Sequence, residues 1–251
     1  PQAIPLMPVE PIPIPLMPVE PIPIPLLAQL EAELNRRVHI AHPLAAQQTV
    51  LSIAAHACAR QAISTSNDPC SLYLALCAQS VGNARPYLSL AHDLFTEAGL
   101  RETVRQQRIS TTSGLHKLLY TQPALLYLSA EYGVVVQRAK YQPAGSLEQA
   151  LNTLAETYDA ANVSIDPREF GIKDVGVDQD ILRSPTVNLL ALLSQDQMAA
   201  VVKSSELGRG ALEQLQVVVL DEDRLVMNEP DAIQTGPFDL TLIAMIRRLR
   251  R

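Results

Sequence analysis

Four short apolar runs, separated by amphipathic segments, set the pattern of hydrophobic and polar positions along the chain. The runs are Ser71–Ser80, Ala124–Tyr132, Thr186–Leu193 and Gln216–Leu220. Each has the length of a strand that is buried on both faces and is too short for a typical buried helix. Strands of this kind that alternate with helices predict an α/β fold, with a mostly parallel central sheet and helices on both of its faces.

The intervening segments carry apolar residues at helical spacing. Two helices are predicted before the first strand, at Leu26–Arg37 and Pro43–Ile63. The residues Ser194–Gln197, SQDQ, are of the type that begins a helix, so a helix is predicted directly after the third strand. Arg224–Met227 is predicted to be a fifth strand that pairs with Gln216–Leu220 across an acidic turn.

The first 25 residues form a proline-rich arm. The sequence PLMPVEPIPI at Pro5–Ile14 returns unchanged at Pro15–Ile24, and ten of the chain's 19 prolines lie in the arm. So many prolines exclude a helix or a central strand and favour extended polyproline II, which would span about 75 Å at about 3.1 Å per residue. One interpretation is a stiff leader. The other is a segment that docks in a groove of this domain or of a neighbour, because Ile, Leu, Met and Val separate the prolines.

These shifts in composition predict four segments. They are the extended arm at residues 1–25, a helical segment at 26–66, an α/β domain at 67–236 and a basic helix at 237–251.

Composition and charge exclude several classes of protein. The formal net charge of −6 argues against a strongly basic nucleic-acid-binding coat but allows a local basic patch. No apolar run is long enough for a membrane span, and the three cysteines have no CxxC spacing, as expected for reduced thiols. We therefore expect a cytoplasmic protein without membrane contact. His39, His42 and His56 lack further ligands at zinc spacing, so no metal site is predicted.

The C-terminal segment combines an apolar stripe with a cluster of cations. Four arginines fall in the last five residues: Arg247, Arg248, Arg250 and Arg251. One or two cations would compensate the dipole of their own helix. Four together favour binding to a phosphate backbone, DNA or RNA, or to an acidic partner surface.

The first strand, its loop and the following helix form the frame of a phosphate-binding loop. Such a loop needs glycines for close backbone approach, a lysine for the phosphates and a Ser or Thr for magnesium. No lysine occurs between Ser71 and Leu100. We interpret Gly82, Asn83, Ala84 and Arg85 as a vestigial nucleotide-binding loop and expect no cofactor.

Several patterns occur in a familiar order: SLYLALCAQS, FTEAGL, LLYLSAEYG and SPTVNLLALLSQDQM. Over roughly residues 20–215 the chain resembles the RecA-like primase/helicase-associated proteins of prophages, plasmids and integrated elements. The resemblance implies a RecA-like three-layer fold with an ATP site. Ala130-Glu131 stands where the family has Asp-Glu, so Glu131 and Ser194 would be remnants of the water-positioning carboxylate and of a polar sensor.

The resemblance also implies an arginine after a Gly-Phe-Leu-like turn, where this chain has Gly210-Ala211-Leu212 followed by Glu213. With the lysine, the metal-side carboxylate and this arginine missing, phosphoryl transfer lacks most of its charge stabilisation. We therefore expect a pseudo-ATPase: a non-catalytic RecA-like subunit or adaptor of a phage- or plasmid-type DNA replication, transfer or packaging assembly, itself a homo-oligomer or part of a larger complex. An atypical ATP-dependent helicase-type motor and a structural subunit of a shell or filament are the alternatives.

Overall fold

The computed structural model describes residues 24–61, 70–106, 111–141, 145–159, 161, 164–165, 182–202 and 213–250. The proline-rich arm up to residue 23, the acidic residues between 166 and 180 and the final Arg251 lie outside these ranges. The predictions made for the arm and for Arg251 stay predictions.

The described ranges contain eight α-helices: α1 Ile24–Arg36, α2 Pro43–Ala57, α3 Arg85–Glu97, α4 Thr112–Thr121, α5 Tyr132–Tyr141, α6 Ser146–Asp159, α7 Gln195–Val202 and α8 Leu240–Leu249. The strands are β1 Ile40–Ala41, β2 Tyr73–Ala78, β3 Val104–Arg105, β4 Ala124–Ser129, β5 Ser164–Ile165, β6 Leu182–Arg183, β7 Thr186–Ser194, β8 Leu215–Val219 and β9 Val226–Met227.

Five of the strands form one parallel sheet in the order β3-β4-β7-β2-β8. This confirms the predicted α/β fold with a parallel central sheet. β2, β4 and β7 are buried along nearly their whole length, as expected for strands covered on both faces.

The alternation of side chains along the strands separates two cores. Leu74 and Leu76 of β2 face a core built with α1, α2, α3 and α8, whereas Tyr73 and Ala75 face a core built with α4, α5 and α6, against which Met198 of α7 also packs. The sheet is therefore the middle of three layers. Helices α1, α2 and α8 share the first core with the sheet, and the division of the chain into four segments stays a prediction.

Local sequence signals place several helix ends. The hydroxyl of Thr111 accepts a hydrogen bond from the N–H of Gly114 at 3.1 Å and begins α4. Gly99 follows α3 with φ of +74°, a conformation that favours glycine. α2 ends at Ala57, earlier than predicted, because the chain turns there and Arg60 has φ of +65°.

Three other predictions were wrong or incomplete. β4 ends at Ser129 because Tyr132 already begins α5. β9 pairs with β1 instead of β8, since a 3-10 turn at Glu222–Arg224 redirects the chain after β8. The edge strand β3 was missed because only two residues pair, too few to leave a periodic signal.

Within the described ranges, no helix is both long enough and apolar enough to cross a membrane.

Candidate functional site

The carboxyl ends of the parallel strands bring three predicted site elements to one edge of the sheet. The segment 82–85 follows β2, Glu131 follows β4, and Ser194 ends β7. These strands are neighbours, and Ala78 of β2 lies opposite Ser194. β2 and β7 send the chain in opposite directions across the sheet, to β3 and β8. Ligands of open α/β sheets bind outside the carboxyl ends at such a reversal, so this edge is the candidate site.

The loop after β2 folds into a closed turn. The N–H of Asn83 donates to the Ser80 carbonyl at 3.4 Å. The N–H groups of Ala84 and Arg85 both donate to the Val81 carbonyl, at 3.2 and 3.1 Å. A phosphate-binding loop instead directs successive N–H groups at the anion. Here three of those groups are already bonded within the loop, and an anion would have to displace these bonds.

No side chain of this loop takes the place of the lysine that a phosphate-binding loop needs. Gly82 does not have a positive φ, and a methyl group placed on it would lie 3.5 Å from the Ser80 hydroxyl oxygen, so no close approach requires a glycine. Arg85 is exposed at the first position of α3, where a cation is unfavourable with the helix dipole.

Ser194 and Gln197 form a reciprocal cap at the start of α7. The Gln197 N–H donates to Ser194 Oγ at 3.1 Å, and the Ser194 N–H donates to Gln197 Oε1 at 2.9 Å. This is a capping box, and it confirms the helix predicted from SQDQ. The Ser194 hydroxyl therefore has a structural use, and its proposed sensor role stays a prediction.

Gly133 makes this cap possible. A Cβ atom at Gly133 would overlap the carboxamide of Gln197, so α5 and the capping box approach each other more closely than any larger residue allows. Sequence reasoning missed Gly133 and the Gln197 side chain. The Ser-x-x-Gln spacing was the available signal for Gln197, but nothing in the sequence links it to Gly133.

Glu131 lies between β4 and α5. Its carbonyl accepts hydrogen bonds from the N–H groups of Val134 and Val135, at 3.0 and 3.1 Å, and so begins α5. Its side chain is exposed at the carboxyl edge. The role that the resemblance implies for Glu131 stays a prediction, and the neighbouring Ala130 supplies no carboxylate for a metal ion.

A small cavity lies beside the turn, between the ends of β2 and β8. Ser80, Asn83 and Leu220 contribute to its wall, and its volume of about 10 Å³ suits roughly one water molecule. His42 closes one side. Its Nδ1 accepts from the Ala45 N–H at 3.4 Å, so Nε2 carries the proton that is donated to the Asp221 carbonyl at 2.9 Å. A nucleotide would require this part of the edge to open.

The C-terminal arginines contact the ends of two other helices. Arg247 donates through Nε to the Ala98 carbonyl and through a terminal nitrogen to the Glu97 carbonyl, both at 3.0 Å. Arg250 donates to the Ala59 carbonyl at 3.2 Å. These are terminal carbonyls of α3 and of the turn after α2, which carry partial negative charge. Arg247 and Arg250, both predicted as binding residues, therefore have intramolecular partners.

Arg248 is exposed, and Arg251 lies outside the described residues. Burial lowers the pKa of Arg250, and the nearby Arg60 lowers it further, whereas Glu102 acts in the opposite direction. Binding of nucleic acid or of a partner by the arginine cluster stays a prediction.

A second cavity lies along the edge strand β3. Its volume is about 460 Å³, and Arg101, Arg105 and His92 are among the lining residues. His92 Nδ1 lies 3.4 Å from Asp93 Oδ1, although adjacent side chains on a helix diverge. Both side chains are at least partly exposed, so this part of α3 faces solvent. Sequence reasoning missed the two arginines because Arg105 belongs to β3, a strand that it did not predict, and Arg101 begins the 3-10 turn just before that strand.

His56 is buried and makes a hydrogen bond within the protein. The Thr103 hydroxyl donates to the Leu100 carbonyl at 2.8 Å, so it accepts from His56 Nε2, which lies 3.0 Å away. Burial, with a smaller effect of Arg250, holds the pKa of His56 well below its usual range. Among the described residues, no group of three or more His, Cys, Asp and Glu side chains is arranged to hold a metal ion.

No protein-family model, curated protein or solved structure matches this chain.

Proposed function

We propose that the chain is a non-catalytic, RecA-like subunit or adaptor of a phage- or plasmid-type DNA-processing assembly. The resemblance of its ordered sequence patterns supports the class. The strand order is compatible with a RecA-like sheet, because the strand before the vestigial phosphate loop lies in the interior, between the last two strands of the sheet.

The closed turn after β2 is the single observation that carries the non-catalytic part. The N–H groups that would hold a phosphate are bonded to the Ser80 and Val81 carbonyls, and no lysine is within reach in sequence. A motor has to bind and release nucleotide at this loop in each cycle. An adaptor needs only the shape of the domain and its surfaces.

Calorimetry with Mg-ATP at physiological ionic strength tests this part. We expect no heat of binding that fits a micromolar dissociation constant. Micromolar binding, or ATP turnover that is lost in Glu131→Gln, would favour the helicase-type motor instead. The Glu131→Gln variant serves as the control because it removes the one carboxylate that the resemblance places at the attacking water.

DNA-dependent assembly tests the adaptor part. The mass of the chain is measured in solution with and without single- and double-stranded DNA. We expect a DNA-dependent increase that Arg248→Gln with Arg251→Gln weakens, with a shallower dependence on salt. Arg247 and Arg250 are left unchanged in this variant, because their removal would break the helix-end hydrogen bonds described above. Large assemblies that form without DNA would favour a shell or filament subunit.

A further inference from the structure

β8 is an edge strand with an open row of backbone hydrogen-bonding groups. The N–H of Leu220 donates to the Cys77 carbonyl at 2.8 Å, which fixes the direction of the ladder with β2. Because backbone N–H groups alternate in direction along a strand, the N–H of Val218 also points towards β2. The N–H groups of Val217 and Val219 therefore point away from β2, to the outer edge of the sheet. No described residue pairs with this outer edge.

The edge is also apolar. Val219 is 60 % exposed, and the strand LQVVV contains neither a charge nor a proline. Such an edge is a template for pairing with another strand unless something covers it.

We propose that the chain's own proline-rich arm covers this edge, with Pro11–Pro15 added to β8 as a short antiparallel strand. The sequence there is Pro-Ile-Pro-Ile-Pro. In an extended segment Ile12 and Ile14 direct their N–H and C=O groups to one side, and the prolines, which have no N–H, occupy the other. Each proline also holds the preceding isoleucine in the extended region.

The alternation of isoleucine and proline in the arm provides partners for the outer N–H and C=O groups of β8. Ile12 opposite Val219 and Ile14 opposite Val217 would each exchange two backbone hydrogen bonds. Directly paired residues lie on the same face, so the Ile12 side chain would cover the exposed Val219. The prolines on the outer side leave no donors for a further strand, which ends the sheet.

The attachment point of the arm favours the chain's own β8. α1 begins at Ile24, and its 13 residues span about 20 Å. At its far end, Asn228, which lies shortly after β8, donates to the Asn35 and Val38 carbonyls at 2.8 and 2.7 Å. Residues 16–23 can bridge about 25 Å. A tether of this length gives an effective concentration of about millimolar, above that of a second copy in a dilute sample. The proposal does not depend on the proposed function.

Amide hydrogen exchange of the full chain, resolved by residue with NMR, tests the proposal. We expect the Val217 and Val219 amides to be protected. Ile12→Pro with Ile14→Pro removes the two donors of the arm and should accelerate both amides at least ~10-fold. The Val218 amide, which faces β2, should not change. The matched control, Ile12→Val with Ile14→Val, keeps the donors and should keep the protection.

A second variant approaches the same contact from β8. Val217→Pro removes an outward N–H and leaves the ladder with β2 intact, so the fold should persist, whereas the Ile12 and Ile14 amide signals should move to disordered positions. The proposal is overturned if Val217 and Val219 exchange as fast in the unaltered chain as in the proline variant. Protection that rises with protein concentration would also overturn it, since the arm would then come from a second copy.

Discussion

Two regions of this molecule solve the same problem in different ways. Both contain helix ends whose backbone groups lack partners in their own helix. At the carboxyl edge, Ser194 and Gln197 satisfy each other's N–H groups across three positions of the sequence. At the C-terminal ends of α3 and α2, Arg247 and Arg250 donate hydrogen bonds to carbonyls that are 149 and 191 positions away in the sequence. The first cap is encoded by a local sequence motif, whereas the second forms only when folding brings distant residues together.

The long-range caps should contribute most to stability. Arg247→Gln with Arg250→Gln removes three hydrogen bonds from charged donors to helix-end carbonyls. We expect the free energy of unfolding in urea to fall by about 2–3 kcal/mol. The control is Arg138→Gln with Arg224→Gln, two exposed arginines, which changes the net charge equally and should cost less than about 0.5 kcal/mol. Equal losses in the two double variants would show that charge alone, and not capping, is responsible.

The local cap should be tested through its contact with α5. Gly133→Ala forces the Gln197 carboxamide out of the capping box, and we expect a loss of about 1–2 kcal/mol. In the Gln197→Ala background the same substitution should cost less, because the carboxamide is gone and only the Cβ atom of residue 197, 3.0 Å away, is still in close contact, while alanine favours a helix over glycine. A double-mutant cycle from urea unfolding measures this coupling. Additive effects would mean that Gly133 and Gln197 do not depend on each other.

The end of α2 should add a pH dependence. His56 has a folded-state pKa that burial holds well below the unfolded value of about 6.5. Below pH 6.5 the unfolded chain therefore binds more protons, and stability falls as the pH drops, by up to about 1.4 kcal/mol per pH unit, until the folded pKa is reached.

Unfolding measured between pH 7.5 and 5 checks this prediction. His56→Leu should flatten the fall relative to the unaltered chain, whereas the same change at the exposed His39 should not. His116, whose pKa burial also lowers, contributes to both curves, so the difference isolates His56. An unchanged slope in His56→Leu would exclude His56 as the source.

The smallest effect is expected at the start of α3. Arg85 places a cation at a helix N-terminus without a partner among the hydrogen bonds and ion pairs described. Arg85→Gln should therefore raise the free energy of unfolding by a few tenths of a kcal/mol, and Arg85→Lys should leave it unchanged. A loss of stability in Arg85→Gln would indicate that the side chain supports the loop in a way its exposure does not suggest.

Short-range patterns made much of the fold predictable. The buried runs around Leu74, Leu126 and Leu190 became neighbouring parallel strands because a strand covered on both faces needs a continuous apolar run. Pairing partners were harder to predict: β9 joins β1, whereas the sequence suggested β8, because register between distant segments depends on where the intervening turn directs the chain.

At the candidate site, the sequence by itself determined which chemical groups are available. It placed a glycine, an arginine and no lysine in the loop after β2, and it placed Ala130 beside Glu131. Folding cannot supply the missing side chains. The tertiary structure decided how those groups are used. It turned the N–H groups of Ala84 and Arg85 back onto Val81, brought Gly133 against Gln197, and delivered Arg247 and Arg250 to helix ends. The reason is physical: composition limits the interactions a chain can make, but unpaired backbone groups are satisfied by whichever partners the packed elements bring within about 3 Å.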